Sequence, residues 1–350
     1  SLNSRRSRSR SSLRKRAAGV RPRRKFAAEM GCHFYDVGEG ICHQLMVEND
    51  HVRPGDIFTG ADSHTPTYGA LGALALGMGS TDLAGVLLTC KTWLKVPETV
   101  KIVLNGMLPA EVSAKDVILS LVGKLGIAGA TYEAVEFTGT AVSTFTLASR
   151  MTLANMVAEM GAKAGLVDTT GLQLPYDYDP IQPDPNANYR AVYEFDVSTL
   201  RPQVALPHSP DKVVDIDAAL GQKIDMAFIG SCTNARLEDL QAAASVLRGK
   251  KISPHVRLLI APASKQVFQA ALCDGTIATL SKAGATFITS GCGPCVGTHQ
   301  GVPGNGETII SSTNRNFQGR MGNPRANIYL ASPAVVAAAA LAGEIVDLET

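Results

Sequence analysis

The chain has 350 residues, of which 45% are hydrophobic and 5% aromatic, and it carries a formal net charge of +2. These values are ordinary for an Ala-, Val- and Gly-rich α/β enzyme and leave room for two or three domains. No apolar run approaches the roughly 18 residues of a membrane-spanning helix. The longest, Ala331 to Ala342, predicts a buried helix of a soluble protein.

Residues 1–25 form a basic leader that distorts the net charge. They contain 11 of the 33 Lys and Arg residues and no acid, so the rest of the chain is acidic. A disordered or artefactual leader on a truncated chain is the favoured interpretation. A transit peptide and a nucleic-acid-binding segment are the alternatives for an Arg- and Ser-rich stretch. Because the body is acidic, we predict no nucleic-acid partner for it.

The first half of the chain alternates strand-like and helical patterns. Small residues from 67 to 80 predict close packing of a helix on backbone. The predicted strands are 57–60, 100–104 and 134–138, and the predicted helices are 80–94, 116–125 and 151–164. The last helix is amphipathic and carries Asn155 and Glu159, four residues apart, so that both side chains could reach one ligand. A solvated polar face is the alternative.

The second half predicts a mostly parallel sheet. A proline-rich stretch, LPYDYDPIQPDPNANY, marks a linker and a domain boundary near residue 200. Strands are predicted at 226–230, 256–261, 285–289, 308–312 and 327–331, with helical runs between several of them. This alternation is typical of a sheet with helices on both faces, which binds ligands beyond the carboxyl ends of its strands. We predict an α/β protein with domains at 26–105, 106–200 and 201–350.

Three of the seven cysteines follow predicted strands. Cys232 lies in FIGSCTN, and Cys292 and Cys295 lie in FITSGCGPC. An iron–sulfur cluster with three thiolate ligands and one open position suits this Gly/Pro-rich setting. A zinc site with His299 as fourth ligand and a redox CxxC pair remain alternatives.

The other four cysteines have weaker signals. Cys90 and Cys273 lie in helix-like apolar surroundings and are predicted to be small core residues. Cys32 and Cys42 lie near His43 and are predicted to be structural residues. An odd number of cysteines without a secretion signal predicts a reducing, cytoplasmic compartment.

Polar residues at other strand ends suggest acid–base chemistry and anion binding. The loop ADSHT places Asp62, Ser63 and His64 after a strand. A carboxylate that orients an imidazole for proton delivery is favoured over a hydrolase triad, because the GxSxG elbow is absent. Arg315 and Arg320 in STNRNFQGR predict carboxylate binding, with surface decoration as the alternative.

These motifs, in this order, resemble the aconitase and isopropylmalate isomerase superfamily. The resemblance covers about residues 26–350 and is carried by GADSHTPTYGALGALALGMGSTD, ANMVAEMGA, GSCTN, SGCGPC and STNRNFQGR. It implies aconitase-like α/β/α domains around a central cluster. Within the superfamily the shorter large subunits of isopropylmalate isomerases of leucine biosynthesis are the most similar.

The resemblance implies one 4Fe–4S cluster per subunit, held by Cys232, Cys292 and Cys295. The implied substrate is a hydroxy-dicarboxylic acid, which is dehydrated and rehydrated at the neighbouring carbon. The catalytic set would be His43, Asp62, His64 and Glu159, and the substrate and cluster would be supported by Ser63, Asn155, Asn314, Arg315 and Arg320.

Two departures from the family pattern lead to further expectations. An amino-terminal portion with an Asp–His pair that assists the hydroxyl in the family has no counterpart here, which favours the inactive-remnant alternative. The swivelling domain, which carries the base serine and a substrate arginine, would be a separate small subunit. Homoaconitase, dimethylmalate dehydratase, and an inactive remnant or iron-sensing protein are the alternative functions.

Overall fold

The computed structural model of the chain describes residues 20–348, which divide into two compact units at Glu39 and Gly40. In the first unit, Arg24 of helix α1 (Val20–Met30) pairs with Asp36 in the segment that follows the helix. The basic leader predicted for 1–25 therefore ends as helix over residues 20–25. Its remainder, 1–19, lies outside the described residues.

The second unit begins with a two-stranded sheet. Its elements are α2 (Cys42–Glu48), β1 (Ile57–Gly60), a 3-10 segment (Thr65–Leu71), β2 (Leu74–Gly77) and α3 (Ser80–Thr89). The strand predicted at 57–60 is confirmed, and it pairs in parallel with β2. The prediction missed β2, because the small residues around it gave no strand periodicity. Helix α3 ends earlier than predicted, since Cys90 adopts a left-handed conformation with φ of 55°.

The next sheet has four parallel strands in the order β5-β4-β3-β6. The strands are β3 (Thr99–Asn105), β4 (Ala134–Thr138), β5 (Ala164–Val167) and β6 (Ala191–Asp196), and the helices are α4 (Ala114–Leu125), α5 (Thr140–Thr144) and α6 (Leu147–Met156). The predictions for 100–104, 116–125 and 134–138 are confirmed.

The predicted amphipathic helix over 151–164 is wrong in its length and its character. Helix α6 ends at Met156 and continues as a 3-10 segment, Val157–Met160. Gly161 then takes a left-handed φ of 79°, which ends the helical path and lets β5 begin at Ala164. Because α6 is buried on all sides from residue 150 to 156, it presents no solvated polar face.

The last sheet has the order β11-β10-β9-β12-β13-β7-β8. Its strands are β7 (Gln203–Ala205), β8 (Val213–Asp215), β9 (Met226–Ile229), β10 (Arg257–Ile260), β11 (Thr286–Phe287), β12 (Thr308–Ser311) and β13 (Asn327–Leu330). The pairs from β11 to β13 are parallel, and β7 and β8 are antiparallel. All five strands predicted between 226 and 331 are confirmed, although β11 is much shorter than predicted.

Helices cover both faces of this sheet. They include α7 (Leu237–Leu247), α8 (Lys265–Cys273), α9 (Thr276–Ala283) and α10 (Pro333–Ala342). Alternate residues of β9 enter two different hydrophobic cores, Met226 and Phe228 in one and Ala227 and Ile229 in the other. The mostly parallel α/β sheet is therefore confirmed, and so is the buried helix predicted within 331–342.

The division into domains at 26–105, 106–200 and 201–350 stays a prediction. Strand β3, which the prediction places in the first domain, is an inner strand of the four-stranded sheet.

A close backbone approach joins the 3-10 segment to β5: a Cβ added at Gly69 would lie 1.6 Å from the carbonyl oxygen of Gly165. Glycine at position 69 thus permits the 3-10 segment to pack directly on β5.

The core prediction for Cys90 and Cys273 is wrong, since both are exposed. Cys90 follows α3, which has no buried residue, and Cys273 is the last residue of α8. Cys32 and Cys42 are exposed as well, so neither has the buried environment of a packing residue. Within residues 20–348 no helix is both long enough and apolar enough to cross a membrane.

Candidate cluster and acid–base site

Three parallel strands of the last sheet end at the same edge and deliver the candidate ligands there. Cys232 follows β9, the Cys292–Cys295 loop follows β11, and Asn314 and Arg315 follow β12. These strands lie in the order β11, β10, β9, β12 and are parallel, so their loops leave the same edge of the sheet. The topology thus collects residues that are up to 83 positions apart in the sequence.

Amide and guanidinium donors point at the cysteine sulfurs. The Nδ2 of Asn155 donates to Cys232 Sγ at 3.2 Å, and that of Asn314 donates to the same sulfur at 3.6 Å. The Cys295 thiol donates to Asn314 Oδ1 at 3.8 Å, and Arg320 Nη2 lies 3.8 Å from Cys295 Sγ. Cys232 and Cys295 therefore flank the Asn314 amide.

A rigid buried network holds Cys232 in place. Ser231, immediately before it, has a φ of 96°, a conformation rare for a residue with a side chain. Arg236 is 5% exposed and donates to the carbonyl oxygens of Cys232, at 2.6 Å, and Thr233, at 2.7 Å. Strain of this kind persists only where the surrounding contacts enforce it.

All three thiols have raised pKa values without a cluster. Burial is the largest cause for each, followed at Cys232 by the charges of Cys295 and Cys292. Burial and the neighbouring Cys295 raise the pKa of Cys292, the most exposed of the three, to about 12. Binding of iron to these thiols must therefore release protons.

The sulfur contacts bear on which metal group the cysteines could hold. Within residues 20–348 no group of three or more His, Cys, Asp or Glu side chains is arranged to hold a metal ion, which applies to the three cysteines as it does to the zinc site with His299. The Cys232 and Cys295 thiols both contact the Asn314 amide. Hydrogen-bond donors directed at cysteine sulfur are typical of iron–sulfur sites, so the chemistry of these donors fits a thiolate-bound cluster.

His43 and Asp62 form one side of the acid–base group. His43 Nε2 lies 2.9 Å from Asp62 Oδ1, and its Nδ1 lies 3.2 Å from the Tyr68 hydroxyl. Burial alone would lower the pKa of His43, but the hydrogen bond with Asp62 and interactions with Cys42 raise it to about 9. The pKa of Asp62 is held far below its usual range, first by the hydrogen bond with His43. The pair is therefore ionic at neutral pH.

Glu159 is the centre of the other side. Its Oε1 lies 2.8 Å from His64 Nε2, and its Oε2 accepts from Arg315 Nε at 2.8 Å. Arg315 Nη1 also donates to Ser63 Oγ at 3.1 Å. Burial would raise the pKa of Glu159, but the hydrogen bond with His64 and the charges of His64 and Arg315 lower it.

The sequence-based expectations for these residues are partly revised by the contacts. In ADSHT the side chain of Asp62 bonds to His43 at 2.9 Å and reaches the His64 ring only at 3.5 Å. Its Oδ1 instead accepts from the His64 backbone N–H. Asn155 and Glu159 do reach the same region, but they have different partners.

Sequence reasoning missed Lys115, which is fully buried on α4. Its Nζ donates to the carbonyl oxygens of Ser312, at 2.9 Å, and Thr313, at 2.6 Å. These carbonyls immediately precede Asn314, so Lys115 fixes the loop that carries Asn314 and Arg315. The only local signal was a lysine at the start of a strongly apolar helix.

Comparison with known proteins gives a consistent result. The model of the aconitase family (aconitate hydratase) matches residues 7–222 and 217–343. The chain is 50% identical over 332 residues to 3-isopropylmalate dehydratase large subunit 1 of Methanopyrus kandleri, a match that covers 93% of this chain and 79% of that protein. It is 51% identical over 322 residues to the probable methanogen homoaconitase large subunit of Methanosarcina mazei, covering 90% and 82%.

A solved structure supports the fold. The holo-form of Thermococcus kodakaraensis aconitase X aligns with a TM-score of 0.50 over 83% of this chain and 69% of that one. At 14% sequence identity this similarity concerns the fold alone.

Proposed function

The chain belongs to the aconitase family, and we propose that it is the large subunit of a hydro-lyase that interconverts 2-isopropylmalate and 3-isopropylmalate. The observation that carries the proposal is the meeting of two groups on one sheet edge. The thiols of Cys232 and Cys295 flank Asn314, and the next residue, Arg315, binds Glu159 in the acid–base group. The relative from M. kandleri is named for this activity.

A 4Fe–4S cluster, one per chain, would be held by Cys232, Cys292 and Cys295. When bound, a cluster with three protein ligands supplies an iron with an open position that acts as a Lewis acid toward a substrate hydroxyl. Asn155 and Asn314 would donate hydrogen bonds to the Cys232 sulfur, and Arg320 to the Cys295 sulfur.

Two groups of this chain would handle protons. His64 Nε2 donates to the ionised Glu159 carboxylate, a hydrogen bond that would orient this imidazole for proton transfer at the substrate hydroxyl. Charged His43, held by Asp62, adds positive charge to the same side of the site.

The dicarboxylic substrate would be bound by arginine and hydroxyl donors. Arg315 is 21% exposed at its side chain and keeps guanidinium area facing the crevice while its Nε holds Glu159. Ser63 beside it offers a hydroxyl. Bidentate arginine contacts are the strongest means of binding a carboxylate in proteins.

A small subunit is the proposed partner, because the relatives from M. kandleri and M. mazei are named as large subunits. A cytoplasmic location is proposed from the seven free cysteines of the described chain, which require a reducing environment. The M. mazei relative favours homoaconitase as the second candidate function, since it is as similar as the M. kandleri protein.

The test begins with anaerobic reconstitution with iron and sulfide. We expect about four irons per chain and a three-iron EPR signal on mild oxidation. Both should be lost in Cys292→Ala and kept in Cys273→Ala, a matched exposed cysteine outside the site. Stoichiometric zinc in place of iron would contradict the proposal.

Turnover is then measured with the small subunit from the same organism. Dehydration of 3-isopropylmalate, and none without the small subunit, is the expected result. Faster turnover of homocitrate would establish homoaconitase instead, and an intact cluster without turnover of either substrate would establish an inactive remnant.

A further inference from the structure

Another cavity lies among the N-terminal turns of four helices, and none of the proposed ligand or catalytic residues lines it. Its volume is about 480 Å³, within the roughly 300–1,000 Å³ of small-molecule sites. The turns belong to α4, α6, α7 and α10. Helix N-termini carry partial positive charge and free N–H groups, which attract acceptor groups of a ligand.

Three of these four N-termini are capped by side chains of the chain itself. Asp116 and Ser113 form a capping box on α4, Thr146 accepts from Ser149 N on α6, and Asp239 accepts from Arg236 N on α7. Helix α10 differs. Its N-cap residue, Ser332, makes no side-chain cap, is 1% exposed, and its Oγ has no hydrogen-bond partner among the described residues.

The side-chain oxygen of Asn234, a buried acceptor without a partner among the described residues, belongs to a residue that lines the same cavity. Asn234 is 4% exposed, and its Nδ2 donates to Asp239 Oδ1 at 3.0 Å and to Thr152 Oγ1 at 3.3 Å. Because a carboxylate only accepts, the Asp239 contact fixes the orientation of the amide. Asn234 Oδ1 then has no partner among the described residues and requires a donor.

The charges around the cavity exclude a simple ion of either sign. Glu111, Glu238 and Asp239 line it and oppose a lone anion. The helix N-termini and the buried ammonium of Lys115 oppose a lone cation. A ligand with both charges satisfies each group, and the remaining wall is aliphatic, formed by Val112, Ala148, Ala242, Val246 and Leu348.

We propose that this cavity binds a free α-amino acid with a short aliphatic side chain. Its carboxylate accepts hydrogen bonds from the N-terminus of α10 and the Ser332 hydroxyl. Its ammonium group donates to Asn234 Oδ1 and lies near the Glu238 carboxylate. The side chain packs on the aliphatic wall.

Hydrogen bonds lead from this cavity to the cysteine site. The Thr152 hydroxyl donates to the Thr233 carbonyl at 3.0 Å, and the Thr233 hydroxyl donates to Asn155 Oδ1 at 2.7 Å. Asn155 in turn donates to Cys232 Sγ. A path of hydrogen bonds thus joins the cavity wall to Cys232, while binding of the occupant does not depend on the proposed reaction.

Calorimetric titration of the folded, cluster-free chain tests the site. L-Valine and L-leucine are the probes, and isobutylamine and isovalerate, with one charge each, are the comparison compounds. We expect an amino-acid Kd of about 1 mM or lower and at least about tenfold weaker binding of either single-charge compound. Equal binding of one of these compounds, or no amino-acid binding at about 10 mM, would overturn the proposal.

Variants locate the binding. Ser332→Ala should weaken it about fivefold, as expected for one lost hydrogen bond. Ala242→Phe, which fills the cavity, should abolish it. The matched controls Ser281→Ala and Ala278→Phe change exposed residues outside the cavity and should bind normally. Unchanged binding in Ser332→Ala together with Ala242→Phe would place the amino acid elsewhere and refute the assignment.

Discussion

Replacing Glu159 with Gln tests the ionic centre of the acid–base group most directly. The Glu159 side chain is 1% exposed and bonds to His64 and Arg315, each at 2.8 Å. The glutamine side chain would present one acceptor in place of two anionic oxygens. One of the two partners would therefore face an amide NH₂ group, and Arg315 would lose its counter-charge.

The expected loss is about 3 kcal/mol in the free energy of unfolding. Removing one member of a buried ion pair costs about 3–5 kcal/mol. The lower part of the range applies because the Arg315 side chain is 21% exposed and keeps its bond to Ser63. A loss of this size corresponds to about a hundredfold change in the folding equilibrium.

Urea denaturation of the cluster-free chain, followed by circular dichroism, measures the effect and its pH dependence. The pKa of Glu159 in the folded chain lies below its ordinary 4.5. The contribution of the ionised Glu159 carboxylate to the free energy of unfolding is thus fully present above pH 4.5 and is lost as the pH falls toward the folded-state pKa. The difference between wild type and Glu159→Gln should be full at pH 7 and shrink below pH 4.5.

Glu238 provides a control in the same chain, because its charge is expected to destabilise the fold whereas that of Glu159 stabilises it. Burial raises its pKa, so its charge opposes folding at pH 7. Glu238→Gln should leave the stability unchanged or increase it. A cost below about 1 kcal/mol for Glu159→Gln, or a cost that grows as the pH falls, would refute the assignment of Glu159 as a buried ionic centre.

Three further variants probe the groups around this centre. In Lys115→Met, two unpaired carbonyl groups cost about 1–3 kcal/mol each, and removal of an ammonium whose pKa burial lowers to about 8 regains about 3 kcal/mol. The two effects oppose each other, so the net loss of stability should not exceed about 3 kcal/mol. Iron analysis after reconstitution should show a reduced cluster content, and an unchanged content would contradict the positioning role of Lys115. The His43 ring should titrate near pH 9 by NMR, so that its stabilisation is present below pH 6.5 and lost as the pH rises through about 9. In Asp62→Asn the pKa of His43 should fall, because its hydrogen bond with Asp62 is the largest influence that raises it, and a value that stays near 9 would contradict this assignment. Asn155→Leu should destabilise the chain by about 2 kcal/mol and, since Cys232 loses a donor, should speed cluster loss in air as followed by EPR.

The sequence predicted strand ends better than helix ends. The runs MAFIG, VRLLIA and NIYLA are apolar and short, and each became a strand of the last sheet. Topology alone therefore predicted that the loops of Cys232, Cys292 and Cys295 leave one edge of the sheet, whereas a site shared by all three thiols stays a prediction. The helix over 151–164 failed because its apolar spacing continued past Gly161, whose left-handed conformation periodicity does not reveal. Strand β6 was not predicted; it begins just after the proline-rich stretch, between that stretch and the predicted domain boundary near residue 200.

Contacts across the fold could not be predicted from local pattern. Lys115 reaches carbonyl groups almost 200 positions away, and nothing in its own helix indicates them. The pairing of Asp62 with His43 in place of the adjacent His64 ring is another example. Side chains next to each other in sequence diverge at a strand end, so their partners come from other elements.

The burial of Cys232 and Cys295 has a consequence for how these thiols react before any metal binds. Cys232 follows β9 and Cys295 follows β11, so their loops, 63 positions apart in the sequence, reach one sheet edge only after β10 has paired with both strands. Burial raises the pKa of both sulfurs and keeps them as thiols, which react far more slowly with oxidants than thiolates do. In the folded chain the same burial would protect both cysteines from oxidation until a cluster is delivered.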